Sequence, residues 1–139
     1  MTYAASQGLQ AALYARLVAD AALGALVGGA VYDALPSGTP PAIYVALGPE
    51  TVRDRSDATG RGAEHDFTIS VVSDSAGFSA AKAAAAAVCD ALTGAPLDLA
   101  RGTLVALWFR EARATRTGTA ERRQVDLLFR ARTDDGETA

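Results

Sequence analysis

With 139 residues the chain has enough length for one domain that folds on its own hydrophobic core, without disulfides or a structural metal. Its net charge of −3 leaves no cationic excess to drive counterion release, which argues against tight nucleic-acid binding. A single cysteine, Cys89, excludes an internal disulfide and any cysteine-based metal site.

Half of the residues are apolar, much of that share being Ala, so the large core anchors are few. Lys82 is the only lysine; the other cations are Arg, whose forked guanidinium suits carboxylate contacts between proteins. A GC-rich genome produces the same bias. The first ten residues show no basic segment leading into an apolar one, and Gln10, Arg16 and Asp20 interrupt the stretch up to Gly29. Neither a signal peptide nor a membrane span is expected, and the product is read as cytoplasmic.

Leu9, Leu13 and Leu17 recur at helical spacing and predict an amphipathic helix over residues 5–19. Asp20 is placed to cap a short following turn, AALGALV, which Gly28 and Gly29 stop. Two short strand-like runs, 31–35 and 42–47, flank PSGTPP and read as a strand pair joined by a loop. Residues 48–63 contain almost no large apolar side chain and read as a long mobile loop. From 64 to 73 the pattern alternates, with Phe67, Ile69 and Val71 inward and Asp66, Thr68 and Ser70 outward. A helix capped by Asp74 or Ser75 follows, its inner stripe being Phe78, Ala81, Ala85, Val88 and Leu92, and Gly94 with Pro96 ends it. Strands 103–116 and 121–132 close the chain as a hairpin, with Val105, Leu107 and Phe109 facing the core alongside Val125, Leu127 and Phe129.

The order α-β-β-β-α-β-β predicts an α+β fold, an antiparallel sheet of four to five strands with both helices on one face. Residues 1–132 form the domain, and 133–139 are expected to be a flexible acidic tail. The second face of the sheet keeps Tyr44, Ala46, Leu104, Trp108 and Leu128 among Thr68, Asp126, Arg110 and Arg130. Aromatic residues with Arg on an otherwise exposed face are the composition of a protein interface. Tyr44, Trp108, Leu128, Arg110 and Arg130 are therefore candidate subunit-contact residues. Alternatively Trp108 tucks under a loop or the first helix, because a one-residue slip in register exchanges the faces.

No catalytic constellation emerges. His65 is the only histidine and opens a strand beside the polar loop, where a solvated ring is expected; no G-x-S-x-G nucleophile elbow is present. Asp54, Asp57, Glu64 and Asp66 are too mixed with Arg53, Arg55 and Arg61 for a metal site, and mutual pairing is the better reading. Cys89 reads as an inert buried thiol. Thr59-Gly60-Arg61-Gly62 precedes a strand and opens no helix, so it is no phosphate-binding loop. No cofactor, metal or small-molecule substrate is expected. Arg53, Asp54, Arg55, Asp57 and Arg61 form a mixed-charge set that a neighbouring copy could complement.

The segments LVADAALGALVGGAVYDALP, PPAIYVALGPE, HDFTISVVSDSAGFSAAKAAAAAVCDAL and LARGTLVALWFREARATR, in this order, resemble small phage and prophage tail-completion proteins. The likeness runs to about Arg132 and is close to the versions found in alphaproteobacterial gene transfer agents. It implies a tail terminator with no catalytic residues. Such a subunit forms a ring, typically a hexamer, on the end of the tail tube, stops tube growth and joins the head connector. Its implied partners are itself, the tail-tube protein and the connector. It would be made in the bacterial cytoplasm and built into the particle. A head-side stopper of the neck has similar size and habit. A double-stranded RNA-binding module shares part of the element order but needs a Lys-rich helix start, and SAGFSAAKAAAAA offers one lysine.

Overall fold

The computed structural model describes residues 3–56, 61–117 and 122–135. Its elements are α1 (Ser6–Ala19), α2 (Ala21–Val27), β1 (Val31–Tyr32), β2 (Ile43–Asp54), β3 (Gly62–Ser73), α3 (Ser79–Thr93), β4 (Thr103–Thr117) and β5 (Arg122–Asp134). The five strands make one sheet in the order β1-β2-β3-β5-β4. The α+β class stands, but three helices and a mixed sheet replace the expected two helices and fully antiparallel sheet.

The third helix is α2, read from the sequence as only a turn. Asp20 caps it by accepting the Leu23 N–H at 2.9 Å, and Gly28 ends it in the left-handed region at φ 62°. A cap of this kind contributes about 1 kcal/mol. The parallel pair is β1 with β2, where Val31 faces Val45 and Tyr32 faces Ala46. Pro36, Pro40 and Pro41 between them forbid a tight hairpin, so the chain loops back before pairing.

Leu9, Leu13 and Leu17 of α1 are buried with Ile69 and Val71 of β3 and Leu127 and Phe129 of β5 in one core. The Phe67 and Phe129 rings stack at 5.7 Å, and Phe109 meets Phe129 edge-on at 5.9 Å. Helix α3 starts at Ser79, later than Asp74 or Ser75, and no side chain caps it. Ser73 Oγ instead accepts the Ser75 N–H and holds the preceding residues in a turn. Its buried face is mostly Ala, which lets the helix approach the sheet closely. Arg16 of α1 donates to the carbonyls of Ala91 and Pro96 at 3.1 and 2.8 Å, satisfying the C-terminal end of α3.

Residues 57–60 lie outside the described residues, and the other residues of 48–63 differ most from expectation. Strand β2 continues through them to Asp54, and β3 begins at Gly62. Pairing Arg53 with Glu64 and Thr51 with Asp66 replaces apolar burial as the reason for order. Gly62 is needed at the hairpin because a Cβ there would stand 2.5 Å from the Arg55 carbonyl oxygen. At the other end of the chain, β5 runs through Thr133 to Asp134 and Asp135 donates its N–H to Arg61 O, so the first residues of the expected tail are part of the sheet. Residues 136–139 lie outside the described residues.

Two bulges in β4, between Leu104 and Ala106 and between Phe109 and Glu111, change which side chains face inward. Leu104 and Leu107 pack on the core, while Val105, expected inside, is 58% exposed. An extra residue shifts the pleat by one position, which a strict alternation rule cannot anticipate. Phe129→Ala should therefore cost about 3–5 kcal/mol in denaturant unfolding, whereas Val105→Ala should stay within about 0.5 kcal/mol. Equal losses would contradict the bulge.

Candidate functional site

The outer face of the sheet, opposite the helices, is built by the other parity of the same strands. One cross-strand row is Thr51, Asp66, Arg130 and Trp108; the next is Thr68, Leu128 and Glu111. Trp108 is 38% exposed, and Leu128 and Arg130 are half-buried beside it. The face assignment of Trp108, Leu128, Arg110 and Arg130 is thus the expected one. Leu104, expected on this face, packs on the core.

Tyr44 shares the face but not the neighbourhood. It pairs with Val72, six residues along β3 from Asp66, roughly 20 Å at the rise of a strand. It is only 7% exposed, packed with Ala30 and Val72, tilted against Tyr32 at 6.2 Å and covered by the Arg122 guanidinium at 6.0 Å. The structure does not bring Tyr44 to Trp108.

Two carboxylates organise the Trp108 end. Asp66 receives a forked pair from Arg130, Nε at 2.7 Å and Nη2 at 3.1 Å, and also bonds Arg53. Arg110 reaches it at 3.6 Å. Glu64 accepts from Arg53 at 3.0 Å and from Arg55 at 3.1 Å, with Arg130 at 3.5 Å. Four guanidiniums around two carboxylates leave the corner electropositive next to an indole. The mutual pairing expected of Arg53, Arg55, Glu64 and Asp66 is present. Arg53 and Asp54 lie in β2 and not in a loop. Arg61 directly precedes β3, and Asp57 lies outside the described residues.

The hydrogen bond from Arg53 holds Glu64 below its ordinary value, with Arg55 and Arg130 assisting and burial opposing. The Arg130 fork does the same for Asp66. Carboxylates depressed in the folded state stabilise it fully above their unfolded values and lose that contribution as pH falls through the depressed ones. Thermal midpoints of the parent should therefore fall as the medium is acidified below about pH 4.5. An E64Q/D66N variant should show a shallower decline over the same range, and an unchanged slope would contradict the pairing.

His65 corrects a second expectation. Its side chain is fully buried, with Nδ1 2.9 Å from Glu50 Oε2 and Nε2 2.9 Å from Thr133 Oγ1. A carboxylate only accepts, so Nδ1 carries a proton. Glu50 also accepts from Tyr3 Oη at 2.9 Å and Ser6 Oγ at 2.6 Å. Burial pushes the Glu50 carboxyl up, but the bonds from His65, Ser6 and Tyr3 together hold it below the ordinary value. The connectivity Thr133–His65–Glu50 imitates a nucleophile, base and orienting acid. Thr133 and His65 are both enclosed, so the chain of bonds ties β5, β3, β2 and the start of α1 together and offers nothing to a substrate. The parity of β3 carries the missed signal, since His65 lies in phase with Phe67 and Ile69. Cys89 is half-buried and its thiol is pushed up by burial, away from reactivity. Among the described residues no group of His, Cys, Asp and Glu is arranged to hold a metal ion. No single helix is long and apolar enough to cross a membrane; α1 and α2 together meet a length and composition test but are bent by 75°.

The family described as "Tail completion protein gp17" matches residues 11–134. The fold is similar, with a TM-score of 0.90 and 60% sequence identity, to a chain of the structure described as "Virion of native gene transfer agent (GTA) particle". That alignment covers 96% of this chain and 99% of the other. No curated protein matches the sequence.

Proposed function

The chain belongs to the tail completion protein gp17 family, which is structural and not enzymatic, and from that premise we propose that it terminates the tail tube of a gene transfer agent-like particle. Copies form a ring, a hexamer, on the last disc of the tube. The ring stops further polymerisation and gives the head connector its docking surface. The single observation that supports this reading is the outer-face corner where Trp108 and Leu128 stay partly exposed among Arg110 and Arg130. Apolar surface of that kind beside fixed guanidiniums is what an assembly contact buries. The partners are further copies of the chain, the tail-tube protein and the connector, and the residues that serve them are Trp108, Leu128, Arg110 and Arg130. Arg53 and Arg55 act indirectly by holding Glu64 and Asp66 in place. The described residues, through Asp135, act as one domain in this role.

Light scattering of the protein at high concentration, or with tail-tube protein added, should give a mass well above the 14.2 kDa of one chain. Trp108→Ala should abolish that assembly while moving the thermal midpoint of the free chain by only a few degrees. A parent that stays at single-chain mass in both conditions would remove the reading. A large loss of midpoint in the variant would mean that Trp108 serves the fold instead.

A further inference from the structure

The exposed large apolar side chains among the described residues fall in two groups. Val105, Trp108 and Phe109 are all on β4. Tyr3, Tyr14, Val18, Leu26 and Leu35 are on the N-terminal segment, α1, α2 and the chain just past β1. The strand order makes β4 one edge of the sheet and β1 the other. Apolar surface is therefore left at the β4 edge, and beside β1 by Tyr3 and Tyr14, which line a cleft there.

On the helix side of β4 lies an open apolar groove of about 350 Å³, lined by Phe109, Ala112 and Ala114 and by Lys82, Ala85 and Cys89 of α3. Beside β1 a cleft of about 610 Å³ runs between α1 and the strand, lined by Tyr3, Tyr14, Tyr32, Gln7, Gln10 and Asp33. The two edges also differ in charge. Residues 17–52, which contain α2, β1 and most of β2, carry Asp20, Asp33 and Glu50 and no Lys or Arg. Strands β4 and β5 carry seven Arg against Glu111, Asp126 and Asp134. The cationic excess thus lies on the β4 and β5 side of the sheet, while Asp33 is the charged residue that lines the cleft beside β1.

We infer that these two edges are the halves of one head-to-tail contact between copies: the Arg-rich, apolar edge of β4 in one copy seats against the tyrosine-lined cleft beside β1 in the next. This rests on the ring reading above and names the surfaces that close the ring. Two unlike surfaces on one chain make a heterologous contact, the kind that repeats around a closed circle. A β4-to-β4 contact is disfavoured because it would place Arg110, Arg113 and Arg116 of one copy against the same residues of another. The bulges at Leu104/Ala106 and Phe109/Glu111 further break the flat edge that such self-pairing needs. Tyrosine rings and Asp33 in the cleft are natural partners for guanidiniums arriving from β4. The Trp108 corner then flanks the contact on the outer face, and Phe109 flanks it on the helix face.

Two single variants test this without disturbing the fold. V105D spoils the β4 edge at a residue 58% exposed, and Y14R spoils the cleft beside β1 at a lining residue 41% exposed. Thermal melts should match the parent for both, confirming that each folds. Analytical ultracentrifugation at high concentration should find each variant alone at the single-chain mass of 14.2 kDa. An equimolar mixture should give a species of twice that mass and nothing larger, because only one intact β4 edge and one intact β1 edge remain per pair. If both variants assemble like the parent, or their mixture shows no dimer, the edge assignment is overturned while the ring reading stands. A parent that stays at single-chain mass, alone and over tail tubes, overturns both.

Discussion

The pleat of β3 is the constraint from which the rest of the molecule follows. Flanked by β2 and β5, this strand sends Phe67, Ile69 and Val71 into the core and Glu64, Asp66, Thr68 and Ser70 to the outer face. The inward set gives α1 and α3 a floor to pack on. The outward acids then need compensation, and they find it in Arg53 of β2, Arg55 just past its end, Arg130 of β5 and Arg110 of β4. A one-residue slip would put two carboxylates in the core and three large apolar side chains in water, so the register is strongly specified.

His65 extends the same logic to a polar group. Its parity carries it inward, and burial of an imidazole is tolerated only because Glu50 and Thr133 satisfy both ring nitrogens. Through Glu50 the network reaches Ser6 and Tyr3, which anchors the start of α1 to the far end of β2. The site that looks most like chemistry in this protein is therefore a fastening, consistent with a family whose members are structural.

The sequence made the helical stripe of α1, the alternation of β3 and the outward placement of Trp108, Leu128, Arg110 and Arg130 legible, because each is a local periodicity. The order of β2 beyond Leu47 was hidden, since charged cross-strand partners such as Arg53 and Glu64 hold it and apolar spacing does not. The bulges of β4 were equally hidden: they depend on where β5 lies, and they turn Val105 outward. Tyr44 was given the right face, but its distance from Trp108 was not legible, because parity fixes a face and only strand pairing fixes a distance. The burial of His65 could have been read by extending the β3 alternation by one step.

A subunit with unlike edges and a residual apolar corner fits a role in ordered assembly, where contacts must be specific and repeat without branching. Electron microscopy of particles made with and without this chain measures that role most directly, through the length of the tails. With the chain present, tails should be uniform and joined to heads; without it, tubes should vary in length and lack heads. Uniform, headed tails in its absence would contradict the account.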